Sequence, residues 1–109
     1  MEGPNPHAHP PERCTTMPEL REQIDRLDRA LVGLLSERQR YIERAAEIKS
    51  DRAAVRDEAR IADVLIKVLD EARRAGLNAD IAEPVWRSLM ESSIAYELKR
   101  FDQKAQRSK

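Results

Sequence analysis

The strongest constraint on the fold is a long apolar stripe that begins close to the N-terminus and advances in alternating steps of four and three residues. This spacing places its members on one face of an α-helix, as in the seam of a coiled coil. A capping box of Thr16 and Glu19 marks its start. Only Arg38 interrupts the stripe, whose apolar members are Leu20, Ile24, Leu27, Leu31, Leu34, Tyr41, Ala45 and Ile48. We therefore predict one unbroken helix of about 34 residues, roughly 50 Å long.

A helix of this length is too long for the chain to cover by itself. A compact domain of about 100 residues has a radius of gyration near 13 Å, hence a diameter of roughly 35 Å. Part of the apolar stripe would then face water. We predict that a second copy of the chain covers it, in an intertwined helical homodimer.

The composition favours an all-α fold. Aromatic residues make up 4% of the chain and only 3 residues are glycine, whereas 37% are charged. Sheet proteins are richer in aromatic and β-branched residues and in turn glycines. The abundant residues here are good helix formers.

Several classes of function are excluded on the same basis. The 20 basic residues equal the 20 acidic ones, so no global field attracts nucleic acid. Cys14 is the sole cysteine, which excludes an internal disulfide and a thiolate metal cluster. No apolar run approaches the roughly 18 residues that cross a membrane. Because the N-terminus also lacks the apolar stretch of a secretory signal, we expect a cytoplasmic protein.

Composition changes along the chain indicate three regions. Prolines and polar residues dominate residues 1–15, which predicts a disordered leader. A helical domain is expected over residues 16–103. The basic tail, residues 104–109, is expected to fray.

Two further helices are predicted within the domain. Asp57 is suited to cap the second, whose buried stripe is Ile61, Val64, Leu65, Val68, Leu69 and Ala72. Gly76 is suited to the left-handed position that ends it. The third helix is expected to begin at Asn78 or Asp80, with an inner face of Val85, Trp86, Leu89, Met90, Ser93, Ile94, Glu97 and Phe101.

Basic residues interrupt the apolar surface of the first helix. Lys49 follows Arg38 by eleven residues, about 20° around an α-helix, so the two cations share a face. Arg60 falls in the first turn of the second helix and is expected to fold back toward Lys49. Arg21 precedes Arg38 by 17 residues, about 25 Å. Arg21 is therefore expected to approach Arg38 only across an antiparallel dimer.

Ser93 and Glu97 are polar residues on the inner face of the third helix, one turn apart. Each cation also has an ordinary structural interpretation, as a residue at the edge of the apolar stripe whose charged group reaches water. Arg60 can alternatively pair with Asp57. Ser93 is equally suited to ease helix packing, and Glu97 to face solvent. Taken together, guanidinium, ammonium, hydroxyl and carboxyl groups on one surface indicate a site for a small molecule that carries two carboxylates.

The sequence resembles the all-helical chorismate mutases over about residues 17–103. The residues that carry the resemblance are Leu20 to Asp28 (LREQIDRLD), Leu35 to Arg38 (LSER), Ile48-Lys49, and Val55-Arg56-Asp57 with Arg60. The resemblance implies three helices per chain in an interlocked dimer with two equivalent sites. It also implies that Arg21 enters each site from the partner chain.

The resemblance further implies roles for the site residues. Arg21 and Arg38 would bind the substrate carboxylates, and Lys49 would bind a carboxylate and the breaking ether oxygen. Glu97 would face that oxygen from the other side. Lys49, Glu97 and Arg38 are thus the expected catalytic residues, and Asp57, Arg60 and Ser93 are expected to line the pocket.

The implied reaction converts chorismate to prephenate in aromatic amino-acid biosynthesis. This pericyclic rearrangement needs no nucleophile, metal, cofactor or proton transfer. Catalysis then consists of holding the flexible enolpyruvyl arm over the ring and stabilising the charge that grows on the ether oxygen.

Two positions depart from the family pattern. Ile61 follows Arg60 where many relatives carry an acidic residue that holds the ring hydroxyl. Glu97 stands where bacterial relatives commonly carry glutamine, although fungal mutases also carry glutamate there. Glu97 must be protonated to donate a hydrogen bond to the ether oxygen, so we expect activity to fall as the pH rises.

Two alternative functions compete with the mutase. The isochorismate pyruvate-lyase branch of the same helical family makes salicylate and pyruvate. Ile61 resembles that branch, whereas Ser93, where the lyase tends to carry an aromatic residue, favours the mutase. The other alternative is a non-catalytic helical dimer that serves as an interaction module.

Overall fold

The computed structural model describes residues 9–107, and within this range the chain is helical with no strand. The predicted all-α class with three helices is therefore confirmed. No helix in the described range is long and apolar enough to cross a membrane. The helices are α1 (Met17–Ile48), α2 (Glu58–Ala75) and α3 (Ala79–Arg107), with short 3-10 helices at Pro11–Arg13 and Arg52–Ala54.

Helix α1 begins where the capping box predicts. The N–H of Glu19 donates to the Thr16 hydroxyl at 3.3 Å, while the Glu19 carboxylate accepts the N–H of Thr15 at 3.1 Å. The helix runs for 32 residues, about 48 Å at 1.5 Å per residue, close to the predicted length. Contacts divide the chain into two compact units, one up to Arg38 and one from Gln39 onward.

Over its described residues, the first unit has one buried residue, which is polar, and an exposed apolar stripe. Gln23 is the one buried residue between residues 9 and 38, and its side-chain oxygen accepts bonds from the N–H of His9 and from Arg26, each at 3.1 Å. The leader, predicted to be disordered, thus carries a turn at Pro11–Arg13 and a contact to α1, whereas residues 1–8 lie outside the described residues. Seven large apolar residues are exposed: Met17, Ile24, Leu27, Leu31, Val32, Leu34 and Leu35.

The second unit contains the end of α1, the connection after it, and the packed pair of α2 and α3. Every member of the predicted α2 stripe is buried or half-buried. On α3 the predicted inner face is correct except for Val85, which is 51% exposed. The buried apolar residues are Ala46, Val55, Leu65, Ala72, Ala82 and Met90.

The ends of α2 follow the predicted local chemistry. The Asp57 carboxylate accepts the N–H of Arg60 at 3.0 Å and caps the helix. Gly76 ends it with φ of 78°, a left-handed conformation that favours glycine. The Asn78 side chain then accepts the N–H of Asp80 at 2.7 Å at the start of α3.

Helix α3 is longer than the sequence suggested. The tail over residues 104–109 is predicted to fray, yet the helix continues to Arg107, and residues 108–109 lie outside the described residues. Arg107 binds the Glu47 carboxylate of α1 at 2.6 Å, and Lys104 donates to backbone carbonyls at the end of α1. These contacts with α1 account for the extra turn.

Candidate active site

Lys49 and Glu97 form the centre of the candidate site. Lys49 follows the last residue of α1, and its N–H donates to the Ala45 carbonyl at 3.0 Å, continuing the helical pattern. Its ammonium donates to Oε2 of Glu97, on α3, at 2.7 Å. The Glu97 side chain is only 6% exposed and that of Lys49 is 29% exposed. The structure therefore brings together two of the three predicted catalytic residues.

The direction of this hydrogen bond bears on the expected role of Glu97. A carboxylate buried to this degree needs a partner, and the Lys49 ammonium is that partner. Glu97 accepts in this pair, whereas bonding to an ether oxygen requires it to donate. For that role Lys49 would have to turn away and Glu97 would have to gain a proton.

The α2 residues of the predicted site lie at its N-terminus and make local contacts. Arg60 does not fold back toward Lys49 as expected, because its guanidinium binds Asp63 one turn along α2 at 2.9 Å and is mostly exposed. The carboxylate of Asp57 caps the same helix through the backbone of Arg60. Ile61 is half-buried. Ser93 is half-buried on α3, one turn before Glu97 and on the same face.

Arg21 and Arg38 both lie on α1, in the first unit. Arg21 is exposed and Arg38 is half-buried. Their separation of 17 residues along a continuous helix is about 25 Å, so the two guanidinium groups of one chain cannot bind the same small molecule.

Beside Glu97, a polar cluster that no sequence motif indicates joins α3 to α1. The Tyr96 hydroxyl donates to the Glu43 carboxylate, which also accepts from the Gln39 amide at 3.3 Å. The bond from Tyr96, followed by that from Gln39, lowers the pKa of Glu43, and the bond to Glu43 raises the pKa of Tyr96. Gln39 and Glu43 are one turn apart on α1, but that spacing alone does not indicate a partner on another helix.

The connection between α1 and α2 is held against α3 at two points. Arg52 binds Asp102 through two bonds, at 2.9 and 3.3 Å, and Arg56 binds Glu91 through two bonds, at 2.8 and 2.9 Å. Val55, between the two arginines, is buried. These pairs fix the path of the chain from Lys49 to the start of α2.

No group of residues suited to hold a metal ion is found in the described range. Between residues 9 and 107, no three His, Cys, Asp or Glu side chains are grouped so that they could hold an ion. Lys49 and Glu97 themselves supply an ammonium and a carboxylate, which act through charge and hydrogen bonding.

Two comparisons with known proteins match most of this chain. Residues 20–98, a range that includes every candidate site residue, match the family described as chorismate mutase type II. An isochorismate pyruvate lyase from Pseudomonas aeruginosa is 32% identical over 93 residues, which cover 85% of this chain and 92% of that protein.

Proposed function

We propose, from the premise that this chain belongs to the chorismate mutase type II family, that it catalyses the rearrangement of chorismate to prephenate. The family and the relative from Pseudomonas aeruginosa together support an enzyme of the chorismate-utilising kind. The choice of the mutase reaction within that kind is the proposal.

The observation that carries the proposal is the Lys49–Glu97 pair. Two groups that can each bond an ether oxygen lie 2.7 Å apart, one of them almost fully buried. When a substrate enters, its carboxylates and ether oxygen compete for the ammonium. A protonated Glu97 can then bond the same oxygen from the opposite side.

The proposed catalysis is electrostatic. The reaction breaks a carbon–oxygen bond while a carbon–carbon bond forms in the same molecule, and negative charge grows on the ether oxygen. Preorganised donors at that oxygen, in a site with little water, typically contribute a factor of about 10² to 10³ each. Arg38 and Arg21 would hold the two carboxylates so that the reacting carbons meet.

The proposal includes a homodimer in which Arg21 belongs to the partner's site. Between residues 9 and 38 the one buried residue is polar, while seven large apolar side chains are exposed. A helix in this state gains little from its own apolar face. A second copy packed along the stripe would bury these side chains and would bring Arg21 near the partner's Lys49 and Glu97.

A product assay tests the proposed reaction. Purified protein is incubated separately with chorismate and with isochorismate, and the products are separated by chromatography. Prephenate formed from chorismate far above the uncatalysed rate, with little salicylate from isochorismate, is the expected result. No prephenate above the uncatalysed rate would refute the mutase proposal.

Isochorismate pyruvate-lyase activity is the second candidate. The relative of that name and Ile61, which stands where many mutases carry an acidic residue, favour it. Ser93 favours the mutase, because the lyase tends to carry an aromatic residue there. Salicylate and pyruvate as the main products of the same assay would establish the lyase.

A non-catalytic helical dimer is the third candidate. In that case Arg21, Arg38 and Lys49 would have no ligand to bind, and changing all three to glutamine would affect only stability. Calorimetric titration of chorismate into the native protein and the triple variant separates these cases. Equal affinity for both would rule out the proposed site.

A further inference from the structure

The ammonium of Lys104, on α3, closes the C-terminal end of α1. Its Nζ lies 2.8 Å from the carbonyl oxygen of Ala46, 3.4 Å from that of Glu47 and 2.6 Å from that of Lys49. An ammonium has three N–H donors, so each carbonyl can receive one. The same Nζ lies 4.3 Å from the centre of the Phe101 ring, which favours a cation above its face.

The end of α1 needs such a partner. The last four carbonyls of an α-helix accept no hydrogen bond from an N–H of the same helix. They also lie at the negative end of the helix dipole. The last turn of α1 contains no basic residue that could compensate. Ala46 is only 1% exposed, so water has little access to this part of the helix end. Lys104 therefore supplies from α3 the cation that α1 lacks.

Helix α3 thus contacts both the side chain and the backbone of Lys49. Glu97 accepts a bond from the side chain of Lys49, and Lys104 donates a bond to its backbone carbonyl. Glu97 and Lys104 are seven residues apart, which puts them on one face of α3 about 10 Å apart. One rigid element therefore determines where the Lys49 backbone lies and which group its ammonium meets.

We propose that Lys104 is a positioning residue for Lys49, acting through the end of α1 and without touching the substrate. The inference rests on the proposed function for its catalytic consequence, but its structural part concerns only contacts within this chain. Without Lys104, the last turn of α1 would open more often, and the Lys49 ammonium would be displaced from Glu97 and from the reacting oxygen.

Three variants separate the charge of Lys104 from its bulk. Lys104→Met keeps a stem of similar length over Phe101 and removes every donor. Lys104→Arg keeps a cation with donors for the carbonyls. Lys99→Met, at an exposed lysine on the same helix, is the matched control.

Amide hydrogen exchange measured by NMR tests the structural part in the native full-length protein. We expect exchange at the amides of Glu47, Ile48 and Lys49 to accelerate about tenfold or more in Lys104→Met, with amides in the middle of α2 unchanged. Lys104→Arg should restore slow exchange, and Lys99→Met should match the native protein. Unchanged exchange at the end of α1 in Lys104→Met would overturn the proposal.

Steady-state kinetics test the catalytic part. We expect Lys104→Met to lower kcat about tenfold with a smaller change in KM, because a catalytic group misplaced by about 1 Å can cost about 10²-fold. In a Lys49→Gln background the same change should cost less than twofold, because Lys104 acts through Lys49. An equal loss in both backgrounds, or native kcat in Lys104→Met, would overturn the proposal.

Two further measurements keep the test decisive. If Lys104→Met does not fold, Phe101→Leu removes the ring beneath the ammonium and should accelerate the same amides to a smaller extent; native exchange there would overturn the proposal. If the native protein converts neither chorismate nor isochorismate, the proposed function fails by that result alone. The exchange data then still decide whether Lys104 fixes the end of α1.

Discussion

Lys49 and Glu97 each depend on the other for an oppositely charged partner. Lys49→Met would leave the Glu97 carboxylate almost fully buried with its ammonium partner gone. We expect unfolding in urea to show a loss of about 1–3 kcal/mol. Lys67→Met, which breaks an exposed pair with Asp63, is the control and should cost under about 1 kcal/mol.

A double variant identifies the source of that loss. Lys49→Met combined with Glu97→Gln removes both charges. The double variant should therefore lose less free energy of unfolding than the two single variants lose in sum. Strict additivity of the single losses would contradict the coupling between these residues.

The second residue-level prediction concerns the pH dependence of activity. If Glu97 must carry a proton to bond the ether oxygen, kcat/KM for chorismate should fall as the pH rises. Glu97→Gln should abolish that fall, since an amide donates at every pH. Glu83→Gln, at a carboxylate of α3 that pairs with Arg87 on the same helix, is the control and should keep the native profile. A Glu97→Gln profile identical to the native one would disprove the role.

At the scale of the helix, two glycines should respond oppositely to the same substitution. Gly33 lies inside α1, off the apolar seam, and an added Cβ meets nothing within 4 Å. Gly33→Ala should therefore stabilise the protein by about 1 kcal/mol. Gly76 has φ of 78°, so Gly76→Ala should destabilise it by about 1 kcal/mol. Thermal unfolding of both variants checks the pair, and stabilisation by Gly76→Ala would contradict the assigned helix end.

The connection after α1 should lose its anchors in acid. Bonds from Arg52 and Arg56 lower the pKa of Asp102 and Glu91 below their ordinary values of 3.8 and 4.5. A lowered folded-state pKa contributes stability that is fully present above the ordinary value and is lost as the pH falls through the folded one. The melting temperature of the native protein should therefore exceed that of Arg52→Met/Arg56→Met at pH 7.

This advantage should shrink as the pH falls below about 4, where the two carboxylates begin to take up protons. Arg29→Met, at an exposed arginine of α1, serves as the control and should show no such convergence. An advantage that stayed constant down to pH 2 would show that these pairs do not anchor the connection.

Local signals determined how much of these elements was predictable. The Thr16 and Asp57 caps, the Gly76 end and the stripe of α2 depend on neighbours within four residues, and all appear as predicted. The exposure of Val85 depends on which face of α3 packs against the other helices. The contact of Arg60 with Asp63 depends on the rotamer of a long side chain. Local spacing does not determine either.

Most contacts between helices could not be predicted from the sequence. The bond from Tyr96 to Glu43 and those from Lys104 to the end of α1 join residues more than 50 positions apart. Their formation depends on the register of α3 against α1. Lys49 and Glu97 could be proposed as neighbours only through the family resemblance, and the structure shows their bond at 2.7 Å.

At the scale of the assembled protein, mixing two inactive variants tests whether sites are shared. In the proposed dimer, Arg21→Gln damages the partner's site and Lys49→Gln damages its own. A mixed dimer would then contain one intact and one doubly damaged site. After equal amounts are unfolded and refolded together, half of the dimers should be mixed, and activity should recover to about a quarter of the native value. No recovery would contradict the shared site, and neither variant refolded alone should gain activity.

The buried apolar residues of the described chain also have a consequence at this scale. Four of the six, Ala46, Val55, Ala72 and Ala82, are small. Such an interior gives one chain little resistance to opening. If dimer formation supplies the rest of the stability, folding and association are one equilibrium. The fraction of folded, active protein then depends on the concentration of the chain. A cell that makes too few copies would then lose more than a proportional share of its activity.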